Sequence, residues 1–240
     1  MKNGRINELN LYSSSLGEDM ELLVYLPEDY SPLYKYSVLI ASDGKDYFQY
    51  GRLSRLLERL RKEQAIDRTI VVGIPYKSVG ERRRMYHPDG DRNADYIRFL
   101  AHELVPYIDE KFPTYQMGAG RVLIGDSLAA TVSLMTACKY PNIFGTAVCQ
   151  SPYVDSTVMA AVEGVTDPYC LDIYQVIGTG ETEVKTTSDG IRDFLAPNRE
   201  LRNLIEKKGF SSFYEEFNGE HTWKYWQQDL ERAIRFALGD

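Results

Sequence analysis

Cysteine is scarce in this chain, and its spacing excludes the usual cysteine-based sites. Three cysteines occur among 240 residues, at Cys138, Cys149 and Cys170, and no two are spaced as C-x-x-C. An odd number without such spacing fits neither a disulfide framework nor a zinc site. We expect Cys138 and Cys149, which fall in a predicted helix and strand, to be buried free thiols. No metal or other cofactor is therefore expected, and the thiols favour a cytoplasmic location.

The chain also lacks a surplus of basic residues and any long apolar run. Lys and Arg number 28 against 35 Asp and Glu, a formal charge of −7. This balance argues against nucleic acid as a partner. No apolar run is long enough to span a bilayer, and residues 1–5 do not begin a signal peptide. We expect a small-molecule partner and no membrane contact; the oligomeric state is open, with a homodimer as one option.

Short apolar segments alternate with segments of helical periodicity along most of the chain. This alternation is typical of a mostly parallel sheet with helices on both faces, and one domain over residues 1–240 is the simplest interpretation. An antiparallel hairpin is predicted at the start, over residues 6–12 and 20–26. The further predicted strands are 36–42, 69–75, 121–125, 146–150, 172–177 and 213–217. The predicted helices are 52–62, 94–111, 127–139, 191–208 and 223–238, with 76–91 irregular and a kink expected at Pro106.

The segment Gly125-Asp126-Ser127-Leu128-Ala129 joins a predicted strand to a predicted helix. Small residues on both sides of a serine at such a turn are typical of a nucleophile elbow, although its last position is usually glycine. Alanine fits there if its φ is negative. The alternative is a serine that only caps a helix. As a nucleophile, Ser127 needs a base, an acid and oxyanion donors elsewhere in the chain.

Among three histidines, His221 is the best candidate for the base. It follows the last predicted strand as Ser127 follows an earlier one, and the carboxyl ends of parallel strands meet at one edge. His102 lies within a predicted helix and His87 in the irregular basic stretch. The alternative for His221 is a polar residue that caps the final helix.

The acid is expected between the nucleophile and the base in chain order. Glu181 is the first carboxylate after the strand 172–177 and its glycine turn, and a short turn holds a side chain firmly. Glu183, Asp189 and Asp193 follow closely and remain alternatives.

Two backbone amides should point to the oxyanion. The first candidate is Leu128, the residue after the nucleophile, and the second is Lys45, in the loop that begins Asp43-Gly44. The alternative for that loop is a plain Asp-Gly turn.

A basic stretch, with Arg82 and Arg84 at its centre, follows the strand 69–75. It could bind an anionic substrate such as a catecholate trilactone, and the alternative is a solvated run of charge. We add Asp43, Gly44 and Trp223 as further candidate substrate contacts.

Several motifs occur together in one order and resemble the esterase D-like branch of the α/β-hydrolases, which includes enterochelin (siderophore) esterases. They are Val24-Tyr25-Leu26-Pro27, Asp43-Gly44 with Tyr47-Phe48, residues 72–75, residues 82–88, residues 103–109, residues 140–145, Ser151-Pro152, and residues 219–223 with Trp226. The resemblance implies an α/β-hydrolase fold and hydrolysis of a carboxylic ester through an acyl-enzyme, with an aryl or siderophore-type ester as substrate. It implies Ser127 as nucleophile, His221 as base, Glu181 as acid, and the amides of Lys45 and Leu128 as the oxyanion hole.

The sequence departs from the family pattern at three places. Ala129-Ala130 replaces a Gly-Gly pair, Met85 replaces a glutamate, and Thr222 replaces an aspartate. None of these changes removes a predicted catalytic group. Two alternatives of other classes stay open: a catalytically silent hydrolase-fold protein that binds a ligand, and an acyltransferase.

Overall fold

The protein is built around one eight-stranded sheet. The structure is a computed structural model that describes residues 4–187 and 189–239. The sheet strands are β1 (Arg5–Ser13), β2 (Glu18–Leu26), β3 (Ser37–Ser42), β4 (Thr69–Ile74), β5 (Arg121–Asp126), β6 (Thr146–Gln150), β7 (Asp172–Gly178) and β10 (Ser211–Phe217). Two short strands, β8 (Val184–Lys185) and β9 (Ile191–Arg192), form a separate hairpin, which we call the 184–192 hairpin.

Helices cover both faces of this sheet. They are α1 (Gly44–Gln49), α2 (Leu53–Lys62), α3 (Val79–Tyr86), α4 (Asn93–Phe99), α5 (Val105–Lys111), α6 (Leu128–Lys139), α7 (Ser156–Glu163), α8 (Leu195–Lys208) and α9 (Trp223–Leu238). Apolar side chains of α3 to α8 form the core on one face, and those of α1, α2 and α9 form the core on the other. No described helix has the length and apolar character needed to cross a bilayer.

The strand order is β1-β2-β4-β3-β5-β6-β7-β10. The pairs β1–β2 and β2–β4 are antiparallel, and every other pair is parallel. The predicted mostly parallel sheet with an antiparallel opening hairpin is thus confirmed, and the fold is that of an α/β-hydrolase. Strands β3 to β6 are buried along their whole length, which explains their continuous apolar runs.

The carboxyl ends of the parallel strands lie at one edge of the sheet. Asp43, Ser127, Ser151, Glu181 and His221 follow β3, β5, β6, β7 and β10, respectively, within a few residues. Since parallel strands end at the same edge, this topology brings five distant parts of the chain together.

The prediction that residues 76–91 are irregular is wrong. Helix α3 occupies the middle of this stretch, and the Ser78 hydroxyl accepts a hydrogen bond of 3.2 Å from the Glu81 amide at its start. Serine followed three residues later by glutamate is a capping signal. Met85 and Tyr86 are the buried residues of this helix. Because it buries so little, its sequence has no apolar stripe, and hydrophobic periodicity does not predict a helix here.

Other boundaries also differ from the prediction. Helix α8 begins at Leu195 rather than at Ile191, because Ile191–Arg192 pairs with β8 and the Asp193 carboxylate accepts a hydrogen bond from the Ala196 amide. Helix α1 begins at Gly44, within the Asp-Gly loop, where the sequence pattern predicts no helix. The predicted helix 94–111 is interrupted by a π-helical turn, Leu100–Leu104, just before Pro106, which has no amide hydrogen to donate.

Candidate active site

Ser127 lies on a sharp turn between β5 and α6. Its backbone has φ 52° and ψ −126°, a conformation that non-glycine residues rarely adopt. A Cβ atom at Gly125 would overlap the backbone of Ala129 and Ala130, so the turn needs a residue without a side chain there. Ala129 is fully buried within α6, and its φ is not positive. Alanine therefore fits at this position, which is usually glycine.

The three predicted catalytic side chains form one hydrogen-bonded relay. His221 Nε2 lies 2.9 Å from Ser127 Oγ, and His221 Nδ1 lies 2.5 Å from Glu181 Oε2. The histidine is mostly buried and packs edge-on against Phe194 and Trp226, with ring centroids 4.7 and 4.9 Å away. In this arrangement the carboxylate favours a proton on Nδ1 and leaves Nε2 to accept the serine proton.

Further hydrogen bonds hold the Glu181 carboxylate, which is completely buried. Its Oε1 atom accepts hydrogen bonds from Ser151 Oγ at 2.7 Å and from the Gly178 amide at 2.8 Å. Ser151 Oγ in turn accepts a hydrogen bond from Trp226 Nε1 at 2.9 Å. These bonds orient one carboxylate oxygen toward the imidazole and compensate for the burial of a charge.

The other three carboxylates considered for this role lie elsewhere. Glu183 and Asp193 are exposed, and Asp193 bonds the start of α8. Asp189 lies on the 184–192 hairpin, where it pairs with Arg83 and approaches His87 Nε2 to 3.7 Å. Only Glu181, among these four, contacts His221.

The two predicted oxyanion amides each lie in the first turn of a helix. Leu128 opens α6, and Lys45 is the second residue of α1. Amides in a first turn have no acceptor within the helix and are available to a ligand. Gly44 packs so closely on Gly73 of the neighbouring strand β4 that a Cβ atom would overlap its backbone. The assignment of these amides as an oxyanion hole stays a prediction.

A buried charge cluster lies beneath these two turns. Arg82 Nε donates to both carboxylate oxygens of Asp43, at 3.0 and 2.8 Å, and Nη2 lies 2.6 Å from Asp43 Oδ2. Arg82 Nη2 also donates to the backbone carbonyl of Asp126 at 3.4 Å. Burial opposes the charge on Arg82, but the Asp43 carboxylate outweighs it and raises the pKa of Arg82.

Asp126, the residue before the nucleophile, is buried in this cluster beside the Arg82–Asp43 ion pair. Its Oδ1 atom has no hydrogen-bond partner among the described residues. Burial, together with the nearby Asp43 carboxylate, raises the pKa of Asp126 well above its ordinary value. The burial of Asp126 therefore favours its neutral, protonated form over its charged form.

A cavity of about 230 Å³ opens beside Ser127. Rings form one wall: His221, Phe194, Tyr153 and His87 follow one another with centroid distances of 4.7, 5.8 and 4.7 Å. Residues 184–187 and Asp189 of the 184–192 hairpin line another side. A larger surface groove of about 900 Å³ runs between α2 and α9, but none of the relay residues lines it. We therefore take the smaller cavity as the candidate site.

The candidate substrate contacts have different positions. Arg82 lines the cavity, but its guanidinium is committed to Asp43, and Asp43 and Gly44 lie buried beneath. Arg84 lies on the exposed side of α3, where it pairs with Asp91 and Glu81 and does not line the cavity. Trp223 packs on Tyr47 at 4.8 Å, also outside the cavity lining, whereas Trp226 belongs to it.

Sequence reasoning missed the role of Ser151, and it noted Trp226 only as part of a motif. The available signal was the Ser151-Pro152 pair directly after a predicted strand, at the same edge as Ser127. Cys138 and Cys149 are buried free thiols as expected, and burial raises the pKa of Cys138 to about 12. Within residues 4–187 and 189–239, no three His, Cys, Asp or Glu side chains are grouped as a metal site requires.

Comparison with known proteins identifies the family. A profile of the family described as "Putative esterase" matches residues 13–237. The chain belongs to this esterase family. This esterase is 55% identical to the uncharacterized protein YjcH of Bacillus subtilis (strain 168), over 99% of each chain. It is 20% identical to the acetyl esterase of Caldicellulosiruptor saccharolyticus, over 96% of this chain and 97% of that one.

The fold of this esterase is also found among solved structures. The enterobactin esterase FES from Shigella flexneri superposes with a TM-score of 0.83 at 17% identity. The match covers 97% of this chain and 58% of that structure. The family supports ester hydrolysis as the class of reaction, and the structural likeness at this identity shows the shared fold.

Proposed function

We propose that this protein is a serine esterase that hydrolyses a carboxylic ester through an acyl-enzyme. The observation that carries the proposal is the continuous relay from Ser127 Oγ through His221 to the buried Glu181 carboxylate, at 2.9 and 2.5 Å. A strained serine at a strand-to-helix turn, a histidine within hydrogen-bond distance and a carboxylate that orients the histidine are what nucleophilic acyl transfer requires.

The reaction proceeds in two similar halves. Ser127 Oγ attacks the ester carbonyl while His221 Nε2 takes its proton, and a tetrahedral oxyanion forms. The C–O bond to the alcohol then breaks, and His221 gives its proton to the departing alkoxide oxygen. Water next attacks the acyl-enzyme, with His221 again accepting the proton, and the carboxylic acid leaves as Ser127 recovers its proton.

The Glu181 carboxylate orients His221 and stabilises the imidazolium that forms in each half. The amides of Lys45 and Leu128 are our candidates for the oxyanion hole, because both lie in first helical turns at the ends of β3 and β5. Donors of this kind act mainly on the charge that develops in the transition state.

The cavity supports an aryl or siderophore-type ester as the substrate class. Its four rings, which are tilted against their neighbours by 39° to 67°, offer ring faces and edges beside Ser127 against which an aryl group can pack. The enterobactin esterase of Shigella flexneri, whose crystal structure was determined in the presence of enterobactin, points in the same direction. The acetyl esterase relative makes short acyl esters a sensible first assay.

The direct test replaces the nucleophile. We expect Ser127→Ala to hydrolyse p-nitrophenyl acetate and butyrate at least about 10³-fold more slowly than the wild type, because no other group forms the acyl-enzyme. Circular dichroism and thermal unfolding of the variant check that it remains folded. Full activity in folded Ser127→Ala would remove Ser127 from the mechanism.

Two further measurements separate the alternatives. A fluorophosphonate probe labels only an activated serine, so an unlabelled wild-type protein would favour a silent binding protein. Product analysis with added alcohols tests acyl transfer. We expect the free acid to dominate, whereas transfer to an alcohol at low concentration in water would indicate an acyltransferase.

A further inference from the structure

Arg82 connects the two turns that carry the candidate oxyanion amides. Its guanidinium binds the Asp43 carboxylate with contacts of 2.6 to 3.0 Å, and it reaches the Asp126 carbonyl at 3.4 Å. Asp43 lies two residues before Lys45, and Asp126 lies two residues before Leu128. One side chain from α3 therefore holds both turns at once.

The Asp43 carboxylate binds Arg82 and does not cap the helix that follows. Asp43 has left-handed backbone angles, φ 58° and ψ 34°, at the start of α1, and its side chain does not cap the helix. An aspartate before a helix ordinarily bonds the first amides itself. Because the carboxylate instead points to Arg82, it does not compete for the amides of the first turn.

The ion pair between Arg82 and Asp43, which we call the clamp, is largely buried. Burial makes the clamp rigid and keeps it from serving as a free anion site. The Asp43 side chain is 2% exposed and that of Arg82 is 17% exposed. A bidentate arginine–carboxylate pair has a fixed geometry that lysine cannot reproduce. The guanidinium already has a carboxylate partner, which weakens the sequence-based idea that Arg82 recognises an anionic substrate.

We propose that Arg82 is a positioning residue that aligns the Lys45 and Leu128 amides by clamping Asp43 and the carbonyl of Asp126. This inference rests on the proposed esterase function. It deepens that function by naming the contact that preorganises the oxyanion hole. Preorganised donors need no rearrangement as the charge develops, so a loosened clamp should slow the reaction rather than weaken substrate binding.

The test compares Arg82→Lys with the wild type on two esters, neutral p-nitrophenyl butyrate and the anionic mono-p-nitrophenyl ester of adipic acid. We expect kcat to fall about 10- to 100-fold on both esters, with KM within about twofold, because a misaligned oxyanion donor affects the transition state. The matched control is Arg98→Lys on α4, an exposed arginine paired only locally with Asp95. We expect its kinetics to match the wild type.

A second readout reports on the hole itself. A boronic acid forms a tetrahedral adduct with an active-site serine and mimics the oxyanion intermediate, so its inhibition constant measures the alignment of the donors. For Arg82→Lys we expect the inhibition constant of butylboronic acid to rise by a factor close to the loss in kcat/KM. If Arg82 only stabilised the fold, the substitution would lower the Tm, but the inhibition constant would not rise in proportion to the loss in kcat/KM.

Two results would overturn the inference. One is an unchanged kcat on the neutral ester together with a raised KM on the anionic ester, which would make Arg82 a substrate-binding residue. The other is wild-type kinetics on both esters. Wild-type protein that hydrolyses neither ester would instead refute the proposed function, so the two failures are distinguishable.

If Arg82→Lys does not fold, the double variant Asp43→Asn with Arg82→Gln replaces the ion pair by two neutral amides. Removing both charges together avoids leaving one of them buried and unpaired. We expect this variant to show the same loss in kcat and in boronate affinity. Wild-type kcat in the folded double variant would equally overturn the inference.

Discussion

At the scale of single residues, the site depends on two serines with unusual backbone angles. Ser127 and Ser151 have φ values of 52° and 50°, and each directly follows a parallel strand. Ser127 presents its hydroxyl to His221, whereas Ser151 presents its hydroxyl to Glu181 and is completely buried. Backbone strain at neighbouring strand ends thus places both the proposed nucleophile and the support of the proposed acid.

Ser151→Ala tests this supporting role. The change removes one of two hydrogen bonds to Glu181 Oε1 and leaves Trp226 Nε1 without its acceptor. A hydrogen bond to a charged group contributes about 1.5–3 kcal/mol, so we expect kcat/KM to fall roughly 10-fold or more. Steady-state kinetics on p-nitrophenyl butyrate measure the change.

The control for that variant is Ser133→Ala within α6. Ser133 is also fully buried, but its Oγ forms no hydrogen bond with any described residue. We expect its kinetics to remain those of the wild type. Equal kinetics for Ser151→Ala and Ser133→Ala would contradict a special role for Ser151.

At the scale of elements, the elbow between β5 and α6 and the start of α3 use glycine for different reasons. Gly125 has no room for a side chain, because Ala129 and Ala130 pass directly over it. Gly80 lies in the exposed first turn of α3, where the nearest atom to an added Cβ would be Ser78 Oγ at 3.9 Å. One glycine is required by packing and the other is not.

Paired Gly→Ala substitutions test this difference. We expect Gly125→Ala to lower the free energy of unfolding by about 1–3 kcal/mol, because the elbow must open to admit a methyl group. Gly80→Ala should raise it by about 0.5–1 kcal/mol, because alanine loses less conformational freedom in a helix. Urea unfolding measures both values, and a tolerated Gly125→Ala would contradict the packing of the elbow.

At the scale of the whole molecule, the buried cluster of Asp43, Arg82 and Asp126 links stability to pH. Burial raises the pKa of Asp126, so the native state keeps a proton that the unfolded chain releases above about pH 4. Between that pH and the native pKa, the native state binds more protons than the unfolded state. The contribution of Asp126 to the free energy of unfolding therefore decreases as pH rises through this window.

Asp126→Asn removes this titration and keeps the shape of the side chain. We expect the variant to gain in Tm relative to the wild type, with a larger gain at pH 8 than at pH 5. Thermal unfolding at the two pH values measures the difference. Asp172→Asn, at an exposed position at the start of β7, is the control for the loss of one carboxylate, and its Tm should stay close to that of the wild type. Equal gains for Asp126→Asn at both pH values would contradict a raised pKa of Asp126.

The amino-acid sequence predicts the eight strands of the sheet in chain order, the longer helices, the elbow and the three relay residues. The parallel strands can be predicted because burial on both faces makes them continuously apolar. The first polar groups after such strands must lie at one edge of the sheet. Helix α3 is not predicted, because it buries few apolar side chains and its sequence therefore shows charged residues rather than a helical apolar period.

The contacts of the polar groups at that edge follow from the packing of the whole chain and cannot be read from the sequence. In the structure, Glu181 rather than the three nearby carboxylates bonds His221, Arg82 pairs with Asp43, and Ser151 bonds Glu181. The physical reason is that hydrogen bonds and ion pairs at a rim join residues 30 to 94 positions apart. Local sequence patterns determine which residues arrive at the edge, but the distances between side chains depend on how all the strands pack.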